Sequence, residues 1–166
     1  MAVRELAAGR VGGCCGGVLA ERGNQGEFMA GKGKLAQKKA NGLVVQSATT
    51  GSFVVESADA VDSLDGDWQA DLVLFCVKSY HNEVAIEQMK PAIGPNTTIL
   101  TLQNGLGSAD ELSATFGEDA VMLGAAYVEA ERSSPGVFAE HGGTCQIGRA
   151  HVRTPVTSLP RMPASA

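Results

Sequence analysis

Metal-ligand and disulfide spacing is what this sequence most plainly lacks. Its four cysteines, Cys14, Cys15, Cys76 and Cys145, form no C-x-x-C pair, and the only close pair is adjacent in the chain. That spacing argues against a zinc site and a disulfide framework, so reduced, buried thiols and no bound metal are expected. Aromatic residues are scarce at 5%, and no basic stripe runs among them in a chain of net charge −5. The electrostatic footprint of a nucleic-acid binder is therefore missing. No apolar run reaches the ~18 residues of a membrane span, and no signal-peptide pattern opens the chain, which leaves the cytoplasm as the default location.

Glycine, by contrast, is abundant: 21 of 166 residues, in a chain that is 44% hydrophobic. The length suits one domain with one core, and the composition suits an α/β protein. The glycines concentrate in "AAGRVGGCCGGVLAERG", residues 7–23. There Ala7, Gly9 and Gly12 stand at the spacing of G-x-G-x-x-G, one glycine short. A weak strand over residues 2–7 precedes the turn, and a helix from about Val11 to Arg22 follows it, with Gly23 as its stop signal. In that context Ala7, Ala8, Gly9, Arg10, Val11 and Gly12 read as a turn presenting backbone amides and the positive end of a helix dipole to a diphosphate. Gly9 admits a phosphate close to the backbone, and Gly12 lets the helix pack closely on a sheet. Ala7 in place of the first glycine weakens the match, as do Arg4 and Glu5 in a strand that should be buried. Gly13, Gly16 and Gly17 each cost roughly 1 kcal/mol relative to alanine inside a helix, so close packing should offset them.

Further along, strand and helix signals alternate. A second strand fits residues 27–30, followed by a basic helix in "KGKLAQKKANG" that closes at Asn41 and Gly42. "LVVQSATTGSFVVES" reads as a hairpin turning at Thr50 and Gly51. "DLVLFCVK", residues 71–78, is a continuous apolar run of the kind buried on both faces of a parallel sheet. A helix carrying Val84, Ile86 and Met89 ends at Pro91, and "NTTILTLQ" is the next strand. After "NGLG" a helix opens with Ser108 and Glu111 in capping-box spacing. Residues 119–128 and two short segments, 136–139 and 144–147, complete the expected sheet. The rhythm predicts a Rossmann-type doubly wound, mostly parallel sheet. No acid closes the second strand, whereas Lys32 and Lys34 follow it, which favours a 2′-phosphate and so NADP over NAD.

Four stretches together, "GRVGGCCGGVLAERG", "VKSY", "TLQNGLG" and "GAAYVEAERSSPGV", resemble the N-terminal NADP-binding domain of the ketopantoate reductase family. The resemblance runs in register from Met1 to about Gln146. That family comprises the NADPH-dependent 2-dehydropantoate 2-reductases of pantothenate biosynthesis, in which a Rossmann domain precedes a helical one and the active site lies between them. The resemblance implies that residues 7–12 are the pyrophosphate turn and that Lys78 is a cofactor-lining cation. It makes Ala130 part of the cofactor wall and Asn104 the catalytic-side residue bridging nicotinamide and substrate. At Gly31 the family usually has an arginine for the 2′-phosphate, a task left here to Lys32. The family's general-acid lysine and substrate-binding glutamate belong to the helical domain, which this chain is expected to lack. The fragment is then expected to bind NADP but to reduce its small 2-oxoacid poorly. Neither His81, expected to begin a helix, nor His141, expected near a strand end without a partner, offers a replacement. The alternatives are a non-catalytic NADP-binding module and another NADP-dependent 2-oxoacid or hydroxyacid dehydrogenase.

The last stretch, "IGRAHVRTPVTSLPRMPASA", carries three prolines and three arginines and no acid. It resembles the translation of a sequencing-library adapter, so residues 147–166 are expected to be a non-native or disordered tail behind a domain at 1–146. Without a helical domain, an apolar face is expected to stand open for that domain or for a second copy of the chain.

Overall fold

The computed structural model describes residues 2–6, 9–29, 42–56, 59–61, 63–64, 68–104, 107–134 and 136–149. The chain begins with strand β1 (Ala2–Leu6), helix α1 (Arg10–Glu21) and strand β2 (Gln25–Met29). A hairpin of β3 (Leu43–Ser47) and β4 (Phe53–Val55) precedes a short β5 (Asp59–Val61). Then come β6 (Leu72–Phe75), helix α2 (Asn82–Met89), β7 (Thr98–Thr101), helix α3 (Ser108–Phe116), β8 (Val121–Ser134) and β9 (Val137–Arg149). The expected basic helix, with Gly31, Lys32 and Lys34, lies outside the described residues, as do Ala7, Ala8 and residues 150–166.

The strands form one nine-stranded sheet in the order β4-β3-β9-β8-β7-β6-β1-β2-β5. Of its pairings only β3–β4 and β8–β9 are antiparallel. This is the mostly parallel, doubly wound Rossmann-type α/β sheet that the strand and helix rhythm predicts. From β1 the chain winds outward through β2 on one side. It then returns to β6 on the other side of β1 and continues through β7 and β8, so the winding reverses between β1 and β6.

Strand β6 shows why the apolar run at 71–78 forms a central strand. Val73 and Phe75 enter a cluster with Ala85, Ile86 and Met89 of α2 and Leu112 of α3. Leu74 points the other way, into a cluster with Val3 and Cys15 of α1. Successive side chains alternate between two buried faces, which requires apolar residues at every position.

Helix α1 is enclosed to an unusual degree, with every residue from Gly12 to Gly17 buried. One side lies on the central strands. The other is covered by β3, β4 and β9, through a cluster of Cys14, Phe28, Leu43, Val45, Val55 and Phe138. A Cβ on Gly13 would lie 2.3 Å from the Phe138 ring, and one on Gly17 would lie 2.7 Å from Val45. Burying Phe138, Leu43 and Val45 against this stripe is worth about 1.5–3 kcal/mol each, enough to offset the conformational cost of the helical glycines.

Two expectations are corrected. In place of a strand at 119–128 and two short segments, β8 and β9 form one long hairpin whose bulges fall at Tyr127/Val128, Glu129/Ala130 and Arg132/Ser134. Its backbone ladder crosses residue 146, pairing Ile147, Gly148 and Arg149 with Ala126, Ala125 and Gly124. The capping box at α3 does not form. Gly107 is the N-cap, at φ 95°, and Ser108 is the first helical residue and buried. Glu111 reaches across to α2, where it accepts a hydrogen bond from Asn82 Nδ2 at 2.8 Å.

Candidate functional site

Ligands of open α/β sheets bind beyond the carboxyl ends of the strands, where the winding reverses. A cavity of about 1090 Å³ lies at that place. It gathers Gly9, Arg10 and Val11 from the turn after β1, Lys78 from the end of β6, Asn104 from the loop after β7 and Ala130 from β8. Residues separated by as much as the length of the domain thus meet at one site. Gly12 is buried within α1, and Ala7, Ala8 and Lys32 lie outside the described residues.

Gly9 is the N-cap of α1, in extended conformation (φ −75°, ψ −172°), and its carbonyl accepts the amide of Gly13 at 2.9 Å. No side chain caps the helix and its first turn holds no acid. The opening amides have no partner inside the helix, which makes this end a donor of hydrogen bonds to an anion. Around it the cavity is cationic. Arg10, Lys78 and Arg132 line it together with His81, while no Asp or Glu does so among the described residues. In an acidic chain this is a local reversal of sign.

The loop carrying Asn104 is held from below. Gln103 Nε2 donates to the Val77 carbonyl at 2.6 Å and to Asn82 Oδ1 at 2.7 Å. Asn82, only 3% exposed, in turn donates to Glu111. The chain Gln103–Asn82–Glu111 ties the end of β7 to the starts of α2 and α3, and fixes the segment next to Asn104. The cavity mouth is apolar. Tyr80 and Val84 line it, 78% and 57% exposed, with the Tyr80 ring tilted against His81 at 4.5 Å.

The two histidines part company. His81 is the N-cap of α2, where a helix was expected to begin, and it lines the cavity. His141 is not without a partner: its Nε2 lies 3.2 Å from Glu131 Oε1, on the outer part of the β8–β9 hairpin. Arg132 escaped the sequence analysis. It sits in the polar run "EAERSS", and only the hairpin register reveals that it faces the cavity. Three of the cysteines, Cys14, Cys15 and Cys76, are thiols, and among the described residues no group of His, Cys, Asp and Glu is arranged to hold a metal.

Fold and site together define a Rossmann-type α/β protein with a cation-lined crevice at the switch point of its sheet. The chain belongs to the ketopantoate reductase PanE/ApbA family, whose model matches residues 7–151. The family is one of oxidoreductases. A 2-dehydropantoate 2-reductase from Halobacterium salinarum is 35% identical over 150 residues, which cover 85% of this chain and 46% of that protein. An uncharacterized oxidoreductase from Bacillus subtilis is 32% identical over 79% of this chain and 42% of its own length. Among solved structures, a 2-dehydropantoate 2-reductase from Geobacter metallireducens superimposes with a TM-score of 0.82 at 28% identity, covering 93% of this chain and 51% of that one. The chain spans about half the length of these relatives or less.

Proposed function

We propose that this chain is the cofactor-binding part of an NADPH-dependent 2-dehydropantoate 2-reductase, acting on the ketone of a small 2-oxoacid. One observation carries the reading. In a chain of this family, a single cationic cavity brings together Gly9, Arg10, Val11, Lys78, Asn104 and Ala130. The cavity fits an extended dinucleotide: it offers backbone donors at α1, no Cβ at Gly9, and cations in place of acids. A bound nicotinamide supplies hydride for reduction of the ketone. The amides opening α1 hold the diphosphate, and Lys78 neutralises an anionic oxygen beside it. Asn104, exposed at the cavity edge, donates its amide hydrogen to a carbonyl or hydroxyl oxygen without itself titrating. Reduction of a ketone also needs a proton for the developing alkoxide. The family resemblance assigns that proton to a lysine of the helical domain that follows the Rossmann domain.

Fluorescence titration with both reduced cofactors tests the reading. The expected outcome is weak NADPH binding that is tighter than NADH binding, through Lys32. Equal affinities would remove the role given to Lys32, and no binding of either cofactor would remove the dinucleotide site.

A further inference from the structure

One wall of the cavity carries a cation to which neither the glycine turn nor the family resemblance assigns a role. Arg132 lies two residues beyond Ala130 on β8, and its cross-strand partner is Phe138 on β9. The Phe138 ring fills the space above Gly13, one helical turn from the N-cap Gly9. Paired residues of adjacent strands stand about 4.5–5.5 Å apart, so this packing holds the Arg132 backbone beside the first turn of α1. The side chain is exposed, lines the cavity, and has no ion pair with any acid among the described residues. Arg10, the first helical residue of α1, is likewise exposed and lines the cavity.

The geometry points to Arg132 as a binding residue for the diphosphate of the dinucleotide, gripping it from the β8 wall while the opening amides of α1 hold it at the helix terminus. This rests on the dinucleotide site proposed above and adds a residue to it. The helix amides reach a diphosphate from one direction only and leave its outer oxygens to solvent. A planar guanidinium can take two of those oxygens at once, an arrangement lysine cannot reproduce. Without such cations the chain's net charge of −5 would oppose the approach of a multiply charged anion.

The test is cofactor titration of the full 166-residue chain and its Arg132→Ala and Arg132→Lys variants with NADPH and, separately, NADH. Both cofactors carry the diphosphate, and only one carries the 2′-phosphate. Arg132→Ala is expected to raise both dissociation constants by the same factor, about tenfold for loss of a charge-assisted contact, with Arg132→Lys recovering part of it. The melting temperature should not move, because the side chain is exposed. Unchanged dissociation constants in Arg132→Ala would overturn the assignment and leave the dinucleotide site standing. So would a loss confined to NADPH, which would place Arg132 at the 2′-phosphate. Absence of cofactor binding by the unaltered chain would instead overturn the underlying site, and this assignment with it.

Discussion

At the scale of single residues, the glycines at and within α1 separate into one that faces the cavity and others that serve packing. Gly9 faces the cavity; Gly13 and Gly17 face the side chains of β9 and β3. A methyl group on Gly13 would overlap a ring that is wholly buried and cannot swing away. Gly13→Ala is therefore expected to destabilise the fold by about 1–3 kcal/mol, read as a lowered denaturation midpoint, although alanine is the better helix former. The glycines were visible in the sequence as a cost needing compensation. Which of them touched a neighbour was not, because Phe138 lies far along the chain and its register with the helix is a tertiary fact. A second residue, Glu140, sits 3% exposed on β9 and accepts hydrogen bonds from the Ser47 hydroxyl and from Thr49 Oγ1 at 2.9 Å. The Ser47 hydrogen bond chiefly, supported by those from Thr49 and opposed by burial, holds its carboxyl below the ordinary carboxylate value. The unfolded chain then binds the proton more readily, so this contribution is full above the ordinary value and is lost as pH falls through the lowered one. Glu140→Gln should be less stable than the unaltered chain at neutral pH by about 1 kcal/mol, and denaturation curves should show the gap closing on acidification.

Elements were legible in proportion to how far their own residues decide them. The apolar run around β6 and the turn between β3 and β4 announce themselves locally. The β8–β9 hairpin does not, because its outer half, "EAERSS", is polar and exposed, and pairing rather than propensity makes it a strand. The same limit hid Arg132, whereas the loop holding Asn104 was recognisable from "LQNG". The capping spacing at Ser108 and Glu111 misled because Glu111 had a better partner across the fold. The link it makes with Asn82 and Gln103 braces the site from three elements. Asn82→Ala leaves the Gln103 amide and the Glu111 carboxylate each short of a partner. It should cost about 1–3 kcal/mol of stability, and cofactor affinity should fall with it although Asn82 does not line the cavity. A calorimetric scan and a titration on the same sample would show both; unchanged affinity would mean that the Asn104 loop does not depend on this brace.

For the whole molecule, the cavity opens between apolar side chains that stand exposed among the described residues. Tyr80 and Val84 stand at its mouth, and Tyr127 is 66% exposed on β8. With a chain about half the length of its relatives or less, we expect these residues to meet either a further domain or a second copy. The expected behaviour is a low, broad thermal transition and a sedimentation coefficient that rises with concentration. Replacing Tyr80 and Val84 by serine should suppress the rise and shift stability by no more than about 0.5 kcal/mol.

The pairing of β3 with β9 joins Ser47 to Glu140, and the Phe138 ring seats α1 against strands near the other end of the described chain. Vectorial synthesis delivers these partners in the wrong order: the ribosome has made the helix and the first hairpin long before β9 leaves the exit tunnel. Until then Gly13 lacks its Phe138 cover, and arrested nascent chains ending before Val137 should be cut rapidly by protease within α1 and the β3–β4 hairpin, while those long enough to expose Arg149 should resist there.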